Sequence, residues 1–115
     1  MKALVTGGSA GIGLEVAKQL LARDYEVLSV DIQPPGLKHP KLEHVDLDLT
    51  NALATERFAE KIRNQGITTV IHNAGIIRPA LLPEVKLEDL GALVNLHLSA
   101  AVLLVQAALP AMKAA

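Results

Sequence analysis

Two glycine-bearing stretches and one aspartate hold most of the chemistry this chain can offer. The first stretch, Val5-Thr6-Gly7-Gly8-Ser9-Ala10-Gly11-Ile12-Gly13, follows the apolar run Ala3-Leu4-Val5 and opens an apolar-periodic segment. As a strand, a glycine turn and a helix N-terminus, it presents unpaired N–H groups and the positive end of a helix dipole. Both attract anions, phosphate above all. Glycine also lets the backbone approach a ligand where a Cβ would collide. The spacing Thr6-Gly7-x-x-x-Gly11-x-Gly13 departs from G-x-G-x-x-G, because pairing Gly11 with Gly13 puts Val16 in the third place. An ordinary tight βα turn could carry the same glycines, so other residues must give the motif its meaning.

Asp31 stands eighteen residues beyond Gly13, at the end of Glu26-Val27-Leu28-Ser29-Val30. A carboxylate there can accept both hydroxyls of an adenosine ribose, and it repels a 2′-phosphate. No Lys or Arg follows it directly, and Ala10 puts no cation in the glycine turn. NAD is therefore favoured over NADP, although a solvated turn aspartate is the plainer alternative. Asp48-Leu49 has two readings: a contact to an adenine edge, or a capping and turn residue before a helix. The second glycine-bearing stretch, Asn73-Ala74-Gly75, is either a plain turn or a small-residue wall that lets backbone lie against a ribose. Asn95, Ser99 and Gln106 share one helix face by spacings of four and seven. His97 points elsewhere and reads as structural. His39, His44 and His72 show no metal-ligand spacing.

The 115 residues suffice for one domain, 1–115. Half are hydrophobic but only 2% are aromatic, so the core must be Leu, Val, Ile and Ala, a palette that suits helices on a parallel sheet. A formal charge of −1 without like-charge blocks argues against nucleic acid or a membrane surface as partner. The lack of cysteine excludes disulfides, thiolate metal sites and Cys nucleophiles, and is compatible with the cytoplasm. The N-terminus enters a strand pattern without a signal-peptide core. Leu90 to Met112 is long and mostly apolar. Asn95, His97, Ser99 and Gln106 interrupt it, and a globular helix is expected there, not a membrane span.

These residues need elements to hold them. Lys2 to Thr6 reads as a buried strand. Ile12, Val16 and Leu20, with Ala17 and Leu21 beside them, predict one face of a helix from about Gly11 to Arg23. Glu26 to Val30 is a second strand, and Gln33-Pro34-Pro35-Gly36 forces a loop that lasts to Pro40. Leu42 to Leu47 is a third strand. Thr50 or Asn51 caps a helix whose inner stripe is Leu53 or Ala54, then Phe58 and Ile62, and Gly66 closes it. Thr68 to His72 is a β-branched fourth strand. A loop from Ile76 to Pro83 precedes one long helix that starts near Glu88 and Asp89. This order predicts a doubly wound parallel α/β sheet with strand order 3-2-1-4. Its ligand crevice falls between strands one and four, where Thr6-Gly7 and His72-Asn73-Ala74-Gly75 converge.

Together, Thr6 to Gly13, Asp31, Asp48-Leu49, Asn73-Ala74-Gly75 and Asn95 resemble the N-terminal, cofactor-binding half of a short-chain dehydrogenase/reductase. The resemblance covers essentially the whole chain, with the Gln33 to Pro40 loop standing where that family usually has a helix. It implies that Gly7, Ser9, Gly11, Ile12 and Gly13 surround the adenosine and pyrophosphate and that Asp31 holds the adenosine ribose. It also implies that Asp48 and Leu49 flank the adenine and that Asn73, Ala74 and Gly75 line the inner ribose. Asn95 corresponds to the family's active-site asparagine, which helps hold a water in a proton relay. The family adds a serine after the next strand and then Tyr-x-x-x-Lys. Neither is present, and the sole tyrosine, Tyr25, lies in the turn after the first helix. The resemblance thus implies a half, apparently truncated before the fifth strand, of an enzyme that moves hydride between a nicotinamide and a carbonyl or alcohol carbon. The alternative is a non-catalytic dinucleotide-binding module. In either case a homo-oligomer through the 88–113 helix is expected.

Overall fold

A computed structural model describes residues 1–115. Four parallel strands, β1 (Lys2–Thr6), β2 (Glu26–Asp31), β3 (Leu42–Asp46) and β4 (Thr69–His72), stand in the order β3-β2-β1-β4. Register follows from burial. Leu4 lies beside Leu28 and Val70, and Val5 beside Ser29 and Ile71. Because side chains alternate faces along a strand, Leu4 and Leu28 go to one side of the sheet and Val5 and Val27 to the other. Helix α1 (Gly11–Ala22) covers the Val5 side with Ala17 and Leu21. Helix α2 (Ala52–Ile62) and the C-terminal helix cover the Leu4 side with Phe58, Ile62, Leu104 and Ala107. The sheet is therefore wound on both faces, as the alternation of elements predicts, and no helix forms between Gln33 and Pro40.

Two helical stripes differ from the periodic reading. In α1 Ala17 and Leu21 are buried and Val16 and Leu20 half-buried beside them, as expected, but Gly13 is buried at the head of this face and Ile12 is 75% exposed. The small face turns inward because Gly13 must lie against the carbonyl of Gly7, a contact no side chain permits. In α2 Asn51 is the cap, its side chain accepting from the Ala54 N–H at 3.0 Å. Thr55, Phe58, Ala59 and Ile62 face inward, while Leu53 is exposed. Thr55 tolerates burial because its hydroxyl donates to the Asn51 carbonyl at 2.9 Å.

The C-terminal helix is continuous from Leu87 to Ala114 and passes through Pro110. It is not α-helical throughout: α3 (Leu87–Val94) and α4 (Ala100–Ala114) are joined by a π-turn at Asn95–Ser99. Glu88 and Asp89 sit in its first turn as expected. The π-turn inserts a residue, so Gln106 leaves the face it shares with Asn95 in an uninterrupted helix and is exposed. By length and composition this helix could cross a membrane, yet its inner side (Leu96, Ala100, Leu104, Ala107 and Ala108) is packed in the core. Leu98, Val102, Val105 and Leu109 on its outer side are exposed.

Candidate dinucleotide site

A crevice of about 470 Å³ opens at the C-terminal ends of the strands and is lined by Gly7, Asp31, Asp48, Leu49 and Asn73-Ala74-Gly75, among others. Its first wall is the glycine turn. Gly7 has φ +68, a backbone conformation costly for any residue with a Cβ, and its N–H donates to the Val30 carbonyl at 2.7 Å. The Gly7 carbonyl accepts from Asn73 Nδ2 at 3.2 Å. The two small-residue turns are thus bonded to each other across the β1–β4 switch point.

Asp31 ties the second side. Its Oδ2 accepts from the Ser9 N–H at 3.0 Å and its Oδ1 from the Gln33 N–H at 3.0 Å. The Ser9 hydroxyl in turn donates to the Gln33 carbonyl at 3.2 Å. One carboxylate therefore braces both the glycine turn and the loop after β2 while remaining on the crevice wall. Asp48 is committed to its turn: Oδ1 accepts from the Thr50 N–H at 2.9 Å and the Thr50 hydroxyl at 2.7 Å. The capping reading of Asp48 and its place on the wall hold together. Leu49 is 3% exposed and belongs to the core as much as to the crevice.

Ser9, Gly11, Ile12, Gly13 and Asn95 are not wall residues. Ser9 and Gly13 are buried behind the turn they shape, and Gly11 and Ile12 are exposed at the start of α1. Asn95 lies outside the cavity lining, its Nδ2 donating to the Thr50 carbonyl at 3.0 Å. That bond pins the β3–α2 turn to the C-terminal helix. Remote from the crevice, at the α1–β2 return, a hydrogen bond from Lys41 and its charge hold the Asp24 carboxyl below the usual carboxylate range. Tyr25 lies at that same return, at the opposite end of β2 from Asp31.

The family model described as short chain dehydrogenase matches residues 1–115. The chain belongs to this family. A benzil reductase ((S)-benzoin forming) of Bacillus subtilis is 33% identical over 111 residues, which is 90% of this chain and 45% of that protein. The 3-oxoacyl-acyl-carrier-protein reductase of Escherichia coli is 31% identical over 118 residues, 96% of this chain and 48% of that protein. Among solved structures, a short-chain dehydrogenase/reductase from Burkholderia vietnamiensis superposes with a TM-score of 0.84 at 26% identity, over 96% of this chain and 58% of that one. A short chain dehydrogenase from Leptospira borgpetersenii with bound NAD+ superposes at 0.82 and 25% identity, over 98% of this chain and 46% of that one. The chain spans about half the length of the curated relatives it matches.

Within this short-chain dehydrogenase fold, four residues near the crevice make contacts that the sequence does not reveal. The Thr6 hydroxyl oxygen accepts from the Ala74 N–H at 3.0 Å and lies 2.8 Å from His72 Nδ1. His97 Nε2 is 3.2 Å from both the N and the O of Ile76, latching the helix to the loop beyond Gly75. Arg78 lines the crevice, donates to its neighbour's carbonyl at Ile77, and faces Asp89 at 3.6 Å. Thr6 and His72 end adjacent strands in register. Their pairing becomes visible in the sequence only when the strand order is combined with that register.

Proposed function

We propose that this chain is the NAD-binding half of a short-chain dehydrogenase/reductase whose complete form transfers hydride between a nicotinamide and a carbonyl or alcohol carbon, in the cytoplasm. The observation that carries the reading is the Asp31 carboxylate on the crevice wall, braced by two backbone N–H groups on the same side as the glycine turn. In that frame Asp31 receives the adenosine ribose, the glycine turn receives the pyrophosphate and Asn73-Ala74-Gly75 backs the inner ribose. Bound, the nicotinamide supplies the hydride chemistry, and the residues here bind and orient it. General acid–base catalysis needs a group within reach of the transferred proton, and Tyr25 stands at the wrong end of the sheet. Asn95 is proposed as the active-site asparagine of the complete enzyme. Titration calorimetry with NAD and NADP tests the reading. NAD should bind at least about tenfold tighter, since a carboxylate beside a 2′-phosphate repels it. Equal or tighter NADP binding refutes the preference, and no heat with either refutes the cofactor reading.

The exposed apolar row Leu98, Val102, Val105 and Leu109 supports a second element of the proposal, self-association through the 88–113 helix. Val102→Glu is expected to shift sedimentation from dimer to monomer, while a monomeric parent chain would sink the idea.

A further inference from the structure

The π-turn in the C-terminal helix has a specific consequence for one carbonyl. Ala100 N–H bonds to the carbonyl of Asn95, five residues back. In an α-helix that N–H would reach Leu96, four residues back. The Leu96 carbonyl therefore loses its α-helical donor, although Leu96 itself is 6% exposed. A carbonyl left unpaired in such surroundings is costly. It is paired: His72 Nε2 lies 2.7 Å from it.

This contact determines the histidine's tautomer. A carbonyl can only accept, so Nε2 carries the proton. With the proton on Nε2, Nδ1 is the acceptor, and its partner 2.8 Å away, the Thr6 hydroxyl, donates. The Thr6 oxygen, with Thr6 fully buried, in turn accepts from the Ala74 N–H. A single directed chain runs from the Ala74 amide through Thr6 and His72 to the Leu96 carbonyl. Either side of Leu96, Asn95 holds the Thr50 carbonyl and His97 holds the Ile76 backbone. Three consecutive residues of the π-turn thus reach three segments bordering the crevice.

We infer that His72 is a positioning residue: by supplying the donor for the carbonyl that the π-turn vacates, it holds that turn, and through it Asn95 and the Ala74 wall, in their working places. Without the imidazole the helix gains by returning to the α-helical pattern, which rotates Asn95 away from Thr50. His72 does not itself line the crevice. Its effect on cofactor affinity rests on the dinucleotide reading above. Its effect on the wall does not.

The test compares the parent chain with His72→Leu and His72→Gln, the latter keeping an amide donor at the reach of Nε2. Nitrogen and carbon NMR of the parent should show His72 as the Nε2–H tautomer. In His72→Leu the Ala74 amide should exchange about tenfold faster and NAD should bind about tenfold more weakly, the worth of one buried hydrogen bond. His72→Gln should restore most of both. An Nδ1–H tautomer, or parent-like Ala74 exchange in His72→Leu, overturns the inference. If His72→Leu fails to fold, the tautomer and the His72→Gln exchange rates decide it. If the parent shows the expected tautomer and exchange behaviour but no NAD binding, the positioning role stands and the cofactor reading falls.

Discussion

Gly13→Ala is expected to destabilise the chain by about 3 kcal/mol, the upper end of what overpacking a well-filled site costs, and to weaken NAD binding with it. A Cβ on Gly13 meets the Gly7 carbonyl oxygen at 2.0 Å, its carbon at 2.7 Å and Asn73 Nδ2 at 2.7 Å. Two of these atoms are backbone. The Gly7 carbonyl cannot retreat without disturbing the turn that places the Gly7 N–H on Val30 and the bond that Asn73 donates. The third is the side chain that joins the two walls of the crevice. A methyl group at this point therefore pushes the glycine turn and the Asn73 turn apart together, and stability and cofactor affinity should fall in parallel. Urea denaturation with an unchanged m-value reads the first loss and calorimetry the second. Gly91→Ala is the matched control. Gly91 has open space around its would-be Cβ and sits inside α3, so alanine there should stabilise by about 0.8 kcal/mol through helix propensity. A Gly13→Ala variant as stable as the parent would show that the turn is not packed as described.

The second large effect is expected at Asp31. Hydrogen bonds from ribose hydroxyls to a carboxylate are charge-assisted, so Asp31→Ala should cost NAD binding about 1.5–3 kcal/mol. That corresponds to roughly ten- to hundredfold in affinity. NADP should lose little or gain, because the charge that repels its 2′-phosphate is removed. The structure adds a second route to the loss. Asp31 is also the acceptor for the Ser9 and Gln33 amides, so its removal loosens the glycine turn from the loop after β2. Asp31→Asn separates the two routes: an amide oxygen can still accept one of the backbone N–H groups, but the charge is gone. Faster exchange at the Ser9 amide in Asp31→Ala alone would mark the bracing role, and an NAD loss shared by both variants would mark the ribose role. NAD affinity unchanged in both would remove Asp31 from the site.

The legibility of this chain in its sequence follows the range over which each feature is decided. The apolar run of β1, the proline and glycine breakers from Gln33 to Gly36, the cap at Thr50 or Asn51 and the acidic first turn at Glu88 and Asp89 are local. Each is set by the chemistry of neighbouring residues, and each stands where the sequence puts it. The strand order was also accessible, because parallel strands joined by short crossovers leave few right-handed arrangements. The helix stripes were less so. Hydrophobic periodicity finds an apolar face but cannot weigh a small residue that must sit against a backbone carbonyl. Gly13 rather than Ile12 therefore heads the inner face of α1, and Thr55 joins Phe58 and Ile62 on the inner face of α2 because its hydroxyl finds a local acceptor.

By itself, then, the sequence determined which residues reach the C-terminal ends of the strands. Strand ends and turns are fixed by alternation, glycine and proline, and these brought Gly7, Asp31 and Asn73-Ala74-Gly75 to one crevice. Only the tertiary structure decided what holds that crevice in shape. The π-turn at Asn95–Ser99 has no periodic signature, since one added residue leaves the apolar pattern on either side intact. Its Leu96 carbonyl is paired by His72, twenty-four residues earlier in the chain, whose other nitrogen meets Thr6, sixty-six residues away. A hydrogen bond between residues so far apart is settled only when the sheet has paired and the helix has packed across it. The groups that line the site are written locally, and the groups that position them are chosen by the fold.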